Sequence, residues 1–412
     1  MLTAFRVRLL FVLFLSVFLL RSMHSAWIAD DAYFSFRFAK NLVEGHGLVF
    51  NPGERIEGIT NLLWTLVLAG GHALGADLEA LSLWLGTFFA LIFFLELGRY
   101  AVRRRWGTGT FLALSLSPVF LDFATSGLEG MMQVACLYAG LILYFLRRYS
   151  SAFLFFAVAC AVRPDSILFI GVLSLFFLLT VRLPPGARIR ALVPGFLFLC
   201  ALQAGRLIYY GDFFPNTFYA RSVQEAYPHQ GWRYMSLFFQ SVWWVPVATF
   251  FLVVALPRLA WKRRRKYRTE LLLLSLVLVW FLYILQVGGD FMFGRFFLAI
   301  LPAMYLLLER VQYRLLPRCL WPAVVFIMIL GQALSMDIYR GKTIPMIDGI
   351  SDEARIYTRE RRQELKSLAL SLRPAMEIAQ PLIAFGGAQA ALLYYWNVPG
   401  IEAVTGLTDP II

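Results

Sequence analysis

The sequence predicts an all-α polytopic membrane protein, a bundle of about eleven transmembrane helices with a short α/β tail. Composition is the first reason. Of 412 residues, 60% are hydrophobic and only 15% charged, with a mean hydropathy of +0.68. That balance cannot be hidden inside soluble domains. Second, apolar runs of roughly 16 to 22 residues recur along the chain, about the length a helix needs to cross a bilayer. They lack the long period-2 alternation of an outer-membrane barrel. Third, basic residues gather in short loops: Arg6/Arg8, Arg103–Arg105, Arg147/Arg148, Arg182/Arg188/Arg190, Lys262–Lys266 with Arg268, and Arg310/Arg314/Arg318. Loops holding nearly all the acids alternate with them, as the positive-inside rule requires. The net charge of +13 is therefore a topology signal, and no nucleic-acid partner is expected.

Hydropathy and charge together give spans over 7–27, 79–98, 108–121, 130–146, 151–163, 166–181, 191–209, 236–257, 270–287, 295–309 and 318–335. The first run is read as a retained helix with its N-terminus inside. A signal peptide would also show its basic start and small-residue ending at Ser25-Ala26, but Arg21 interrupts that pattern. Residues 28–78 form the first outer loop. In it, Phe34, Phe38 and Leu42 share one helical face while Arg37, Asn41 and Glu44 share another, which predicts an interfacial amphipathic helix ending at Gly45. GHGLVFNPGERIEG follows as a turn-rich cap over the bundle mouth. Asn61–Leu74 is too short to span and is read as interfacial or re-entrant. Residues 151–181 read as two spans or one broken helix. The division is thus 1–335 as the membrane bundle and 336–412 as an outer tail. In that tail, DEARIYTRERRQELKSLALSL reads as an amphipathic helix, and PLIAFGG, AQAALLYYWN and IEAVTGLTD as strand, helix and strand.

Cys136, Cys160, Cys200 and Cys319 lie in apolar segments without CxxC spacing and act as small hydrophobes. The four histidines are scattered, so a histidine-built zinc site is not indicated. The polar variety falls on the outer face. Of the adjacent pair Asp30-Asp31, one acid suffices as a cap for the helix that follows, and the second is surplus to that need. Further charges stand at helix ends: Asp122, Glu129, Arg163, Asp165, Asp212, Arg221, Asp290 and Arg295. Charges beside a span are costly unless they pair, face water or form a site. Arginines on the outer face run against the positive-inside trend, and a phosphate held bidentately would account for them.

Taken together, DDAYFSFRFAKNLVEGHGLVFNPGERIEGITNLLW, SGLE, RPDS, YYGDFFPNTFYAR and GGDFMFGR resemble a family of bacterial polytopic glycosyltransferases that includes the mycobacterial terminal arabinofuranosyltransferases. The resemblance runs from Asp30 to about Arg295, and again weakly at IAFGGAQAAL and GLTDP. It implies the GT-C fold, a multi-pass place in the bacterial inner membrane and an active site facing outward. The implied reaction is inverting transfer of a sugar, such as arabinose, from a polyprenyl-phosphate donor to a cell-envelope glycan or glycolipid. Family members usually continue into a larger outer domain that this chain lacks or truncates.

By the same resemblance Asp30 or Asp31 is the general base. Asp30 is favoured because Asp31 is placed to cap. Arg295, Arg221 and Arg37 are the implied partners of the leaving phosphate, and Asn216 and Tyr219 contact sugar or phosphate. Glu57, Asn61, Glu129, Arg163, Asp165 and Asp290 complete the implied substrate-binding set. A divalent metal could take oxygen ligands from Asp30, Asp31 and Asp290, although an arginine-assisted phosphate needs none. The competing reading is a transporter or flippase of a lipid-linked sugar. Such proteins bind near the midplane and commonly carry internal repeats. Here the polar residues lie on one face and no repeat is found.

Overall fold

A computed structural model describes residues 4–104, 106–216, 227–242, 266–315, 317–385 and 389–402. It is mostly helical. The helices are α1 (Ala4–His24), α2 (Ala32–Val43), α3 (Leu62–Ala73), α4 (Leu78–Arg104), α5 (Thr108–Leu114), α6 (Pro118–Phe123), α7 (Gly130–Phe145), α8 (Tyr149–Val162), α9 (Ile167–Thr180) and α10 (Pro185–Tyr210). They continue as α11 (Pro228–Ser241), α12 (Arg268–Val287), α13 (Leu301–Leu315), α14 (Trp321–Ala333), α15 (Arg359–Ala379) and α16 (Ala390–Trp396).

Four helical stretches among the described residues are long and apolar enough to cross a membrane: Val7–His24, Leu78–Arg104, Pro185–Tyr210 and Arg268–Val287. Five more apolar helices fall short of that length, so the count of eleven is not reproduced. The reasons are local. The expected span 108–121 is cut at Ser115–Ser117, ahead of Pro118. The expected span 295–309 begins as a 3-10 turn, and its helix starts only at Leu301. Residues 151–181 break at Arg163, whose backbone is extended (φ −150°, ψ 126°) because Pro164 follows it. Most of 236–257 lies outside the described residues. α1 and α10 expose Leu9, Val12, Phe196 and Ile208, as helices facing lipid do.

The tail forms the expected strand–helix–strand. β3 (Ile383–Phe385) pairs in parallel with β4 (Gly400–Glu402) across α16. A small hairpin precedes it, made of β1 (Met346–Ile347) and β2 (Ile350–Ser351). The tail also changes the reading of α2. Nearly every residue of α2 from Ala32 to Asn41 is buried, under α3 on one side and α16 on another. It is a packed interior helix and not an interfacial one. On its polar face Arg37 meets tail backbone 356 and 361 residues further along the chain, and Asn41 meets the Val49 and Phe50 carbonyls.

Candidate active site

Two neighbouring turns bring the site together. Gly127 takes φ 76°, and a Cβ there would stand 3.0 Å from Ile28 and 3.1 Å from Ala32. Glycine is thus required for the SGLE loop to approach the Asp30–Ala32 turn, where Ala29 N–H donates to the Ser126 carbonyl at 2.9 Å. Beyond α12, Gly288 and Gly289 both have positive φ and swing the chain back so that Asp290 and Arg295 point at the same place.

Glu129 is the centre. It is 1% exposed and takes Arg163 Nη1 at 2.9 Å, Arg295 Nη2 at 3.2 Å and Asn61 Nδ2 at 2.9 Å. Burial alone would push its carboxyl up, but Arg295 and Arg163 overcome it and hold it down at about 2. Arg163 also donates from Nε and Nη2 to Asp165 at 3.1 and 2.8 Å, and Asp165 in turn accepts from Gln133 at 2.6 Å. Arg295 Nη1 reaches Asp31 at 3.3 Å and Asp290 at 3.5 Å. Of these groups Asp31 is the most open, with 36% of its side chain exposed. Burial of the site raises its carboxyl above the ordinary range, Arg295 opposes, and Asp290 and Glu129 add to the rise. Asn61 is further tied to Ser35 and Thr65.

The structure divides the two adjacent acids differently from the sequence expectation. Asp31 occupies the N-cap position of α2, but its side chain makes no capping bond. Asp30 is the capping acid, and the helix it caps is α16. Its two oxygens accept from Ala390 N–H at 2.8 Å and Ala391 N–H at 3.1 Å. Burial lifts its carboxyl to about 7, against the pull of those two amides, with the charge of Asp31 adding.

Arg37 is likewise not with the phosphate candidates. It is 5% exposed, donates to the carbonyls of Phe50 (2.7 Å), Leu393 (3.2 Å) and Val398 (2.7 Å), and lies 4.5 Å over the Phe50 ring. Those bonds occupy its donors with backbone, so it clips the tail to the first loop. Glu57 belongs to a third place. It pairs with Arg206 at 2.7 Å, and its carbonyl accepts from Asn216 N–H at 3.0 Å. Tyr219 and Arg221 lie outside the described residues.

Sequence reasoning overlooked Gln133, Arg206 and Glu353. Arg206 carried a signal, a cation inside the apolar stretch 191–209. Glu353 carried none, because it reads as one charge among many on an amphipathic tail. In the structure it is 8% exposed and bonded to Ser351 Oγ at 2.8 Å, and burial pushes it up to about 7, with the charges of Asp31, Asp30 and Asp290 adding. Ser351 binds the Arg295 loop directly: its N–H donates to the Phe291 carbonyl at 2.7 Å and its carbonyl accepts from Phe293 N–H at 2.9 Å.

The donor set does not fit a divalent metal. Among the described residues no group of three or more His, Cys, Asp or Glu is arranged to hold one. Asp31 and Asp290 turn onto the Arg295 guanidinium, and Asp30 is spent on backbone amides.

No family model matches the chain. Two curated relatives do, both terminal β-(1→2)-arabinofuranosyltransferases. The one from Corynebacterium glutamicum is 31% identical over 325 residues, 66% of this chain and 46% of the relative. The one from Mycobacterium tuberculosis is 29% identical over 332 residues, 68% of this chain and 51% of the relative. The chain thus spans about half the length of the curated relatives it matches. ArnT from Cupriavidus metallidurans, solved bound to undecaprenyl phosphate, superposes with a TM-score of 0.60 at 14% identity, covering 99% of this chain and 88% of that one. Its apo form gives 0.54, with 96% and 86% covered.

Proposed function

We propose, from the likeness to terminal arabinofuranosyltransferases, the fold shared with ArnT and the geometry of the site, that the protein is an inverting membrane glycosyltransferase. It moves a sugar, with arabinofuranose the leading candidate, from a polyprenyl-phosphate donor to an envelope glycan or glycolipid on the outer face. One observation carries the reading: Asp31 is the open carboxylate of an otherwise buried ionic cluster, and it touches the arginine best able to meet a phosphate. Arg295 commits its Nη groups to carboxylates, while its Nε meets no hydrogen-bond partner among the described residues.

In the reaction, the acceptor oxygen bonds to the anomeric carbon while the bond from that carbon to the phosphate oxygen breaks. The hydroxyl proton passes to Asp31, and polyprenyl phosphate departs with the bonding electrons. A carboxyl raised above its ordinary range is the stronger proton acceptor. Arg295, oriented by Glu129 and Asp290 and backed by Arg163, stabilises the charge that develops on the departing phosphate. Nearby carboxylates also favour the oxocarbenium-like carbon. Asp30 positions the first loop and takes no proton from substrate.

The test is transfer from polyprenyl-phospho-arabinose to an arabinan oligosaccharide by purified protein in detergent. Asp31→Asn should lower kcat by about 100-fold or more, the usual worth of a general base. Wild-type turnover in that variant removes Asp31 from the mechanism.

A further inference from the structure

Beside the ionic cluster lies a cavity of about 340 Å³, bounded by the end of α1, by α6, by Met292–Phe293 and by residues 335–355. Its size falls within the roughly 300–1,000 Å³ typical of ligand pockets. Two features give it a character opposite to the arginine side. Its charges are mainly acidic: Asp122, Asp337, Asp352 and Glu353 against the single cation Arg355. Arg355 is occupied by Asp337 at 2.9 Å and Asp352 at 2.8 Å. The Asp122 carboxylate has no hydrogen-bond or ion-pair partner among the described residues. Between the acids stand aromatic walls. Trp27 is fixed by its indole N–H to the Asp122 carbonyl at 2.8 Å, and Tyr339 by its hydroxyl to the Ile350 carbonyl at 3.1 Å. Both donors are committed to backbone, and both rings are packed into the protein, so they form a rigid backing to the acids.

The cavity also touches the reaction centre. Met292 forms part of its wall and lies 3.7 Å, at sulfur, from Arg295 Nη1. Glu353 lines it and is among the groups that feel the charges of Asp31 and Asp290.

We propose that this cavity is the acceptor subsite of the transfer described above, holding a neutral sugar with its hydroxyls on Asp122 and Glu353. The assignment rests on that glycosyltransferase reading. A surplus of acid repels the donor's phosphate and so separates the two substrates by charge. Carboxylates suit a polyol, because they accept hydrogen bonds from its hydroxyls.

The experiment is binding, read without turnover. Saturation-transfer NMR and titration with an arabinofuranosyl oligosaccharide are run on the full chain in detergent, in parallel with undecaprenyl phosphate. Wild type binds both. Asp122→Ala and Asp122→Arg, at a side chain with no hydrogen-bond partner among the described residues, should weaken the oligosaccharide by at least about tenfold, the worth of one charged hydrogen bond. Undecaprenyl phosphate affinity should not fall in either variant. If the oligosaccharide binds wild type and both variants equally, or does not bind while undecaprenyl phosphate does, the acceptor assignment fails and the donor reading stands. If neither ligand binds wild type, both readings fall.

Discussion

Asp30 and Asp31 are covalent neighbours that serve two regions built on different principles. Around Asp30, buried charges meet backbone. Its carboxylate takes two amides of α16, and Arg37 gives its donors to three carbonyls, two of them in the same tail. Around Asp31, charges meet charges: Arg163 and Arg295 are shared among Asp31, Glu129, Asp165 and Asp290. A charge fully paired with backbone dipoles has nothing left to offer a substrate. An ionic cluster with more acids than arginines keeps one carboxylate open, and Asp31 is the exposed one. Adjacent acids thus separate into a fastening and, in the proposed mechanism, a proton acceptor, and each region can be broken without the other.

The largest effect is expected in the ionic cluster. Glu129→Gln leaves two buried guanidinium groups short of their central anion. Removing one partner of a buried pair costs about 3–5 kcal/mol. The variant should therefore show both a lowered melting temperature and a collapse of transfer activity. Asp31→Asn should lose the activity alone, because its side chain is open and its removal uncovers no buried charge. Equal melting losses in the two variants would erase the distinction between anchor and base.

Asp30→Ala breaks the other region. It strands the Ala390 and Ala391 amides inside the protein, at about 1–3 kcal/mol for each buried unsatisfied group. Melting temperature should fall and the tail should become open to protease, while kcat of the folded fraction changes far less than in Asp31→Asn. If Asp30→Ala instead abolishes turnover at unchanged stability, the roles of the two acids must be exchanged.

These two regions also mark how far the sequence could be read. The apolar runs, the basic loops and the strand–helix–strand tail follow from local pattern, and the structure bears out that tail and the helical class. Glu129, Arg163, Asp165, Asp290 and Arg295 were suspect one by one, because charge at the end of a span needs compensation. That they form a single cluster depends on the Gly127 and Gly288–Gly289 turns, whose geometry no spacing rule supplies. Arg37 misled for the same reason. An arginine near an outer surface fits phosphate and backbone carbonyls equally well, and only the position of the tail decides between them.

Titration separates the regions next. The Asp30 carboxyl stands at about 7 in the folded protein against 3.8 when exposed. Between those values the folded state holds more protons than the unfolded one, so stability declines as pH rises through the window. Wild-type melting temperature should therefore be higher near pH 5 than near pH 8. Glu353 pulls the same way, so Asp30→Asn should flatten the dependence without removing it. A profile unchanged in Asp30→Asn would mean that the acid is charged throughout.

The smallest effect belongs to the rim of the tail contact. Lys40 Nζ donates to Asn397 Oδ1 at 2.9 Å and stands 3.8 Å from Glu44, in a solvent-exposed position beside the buried Arg37 contacts. Exposed pairs of this kind contribute about 0.2–1 kcal/mol, since water and salt screen them and two long side chains must be ordered. Lys40→Ala should shift melting temperature by a fraction of the Asp30→Ala shift, and raised salt should shrink it further. If the tail were held mainly by its rim, the two variants would match. The buried carboxylate on two amides and the guanidinium on three carbonyls require instead that the interior of the contact dominates.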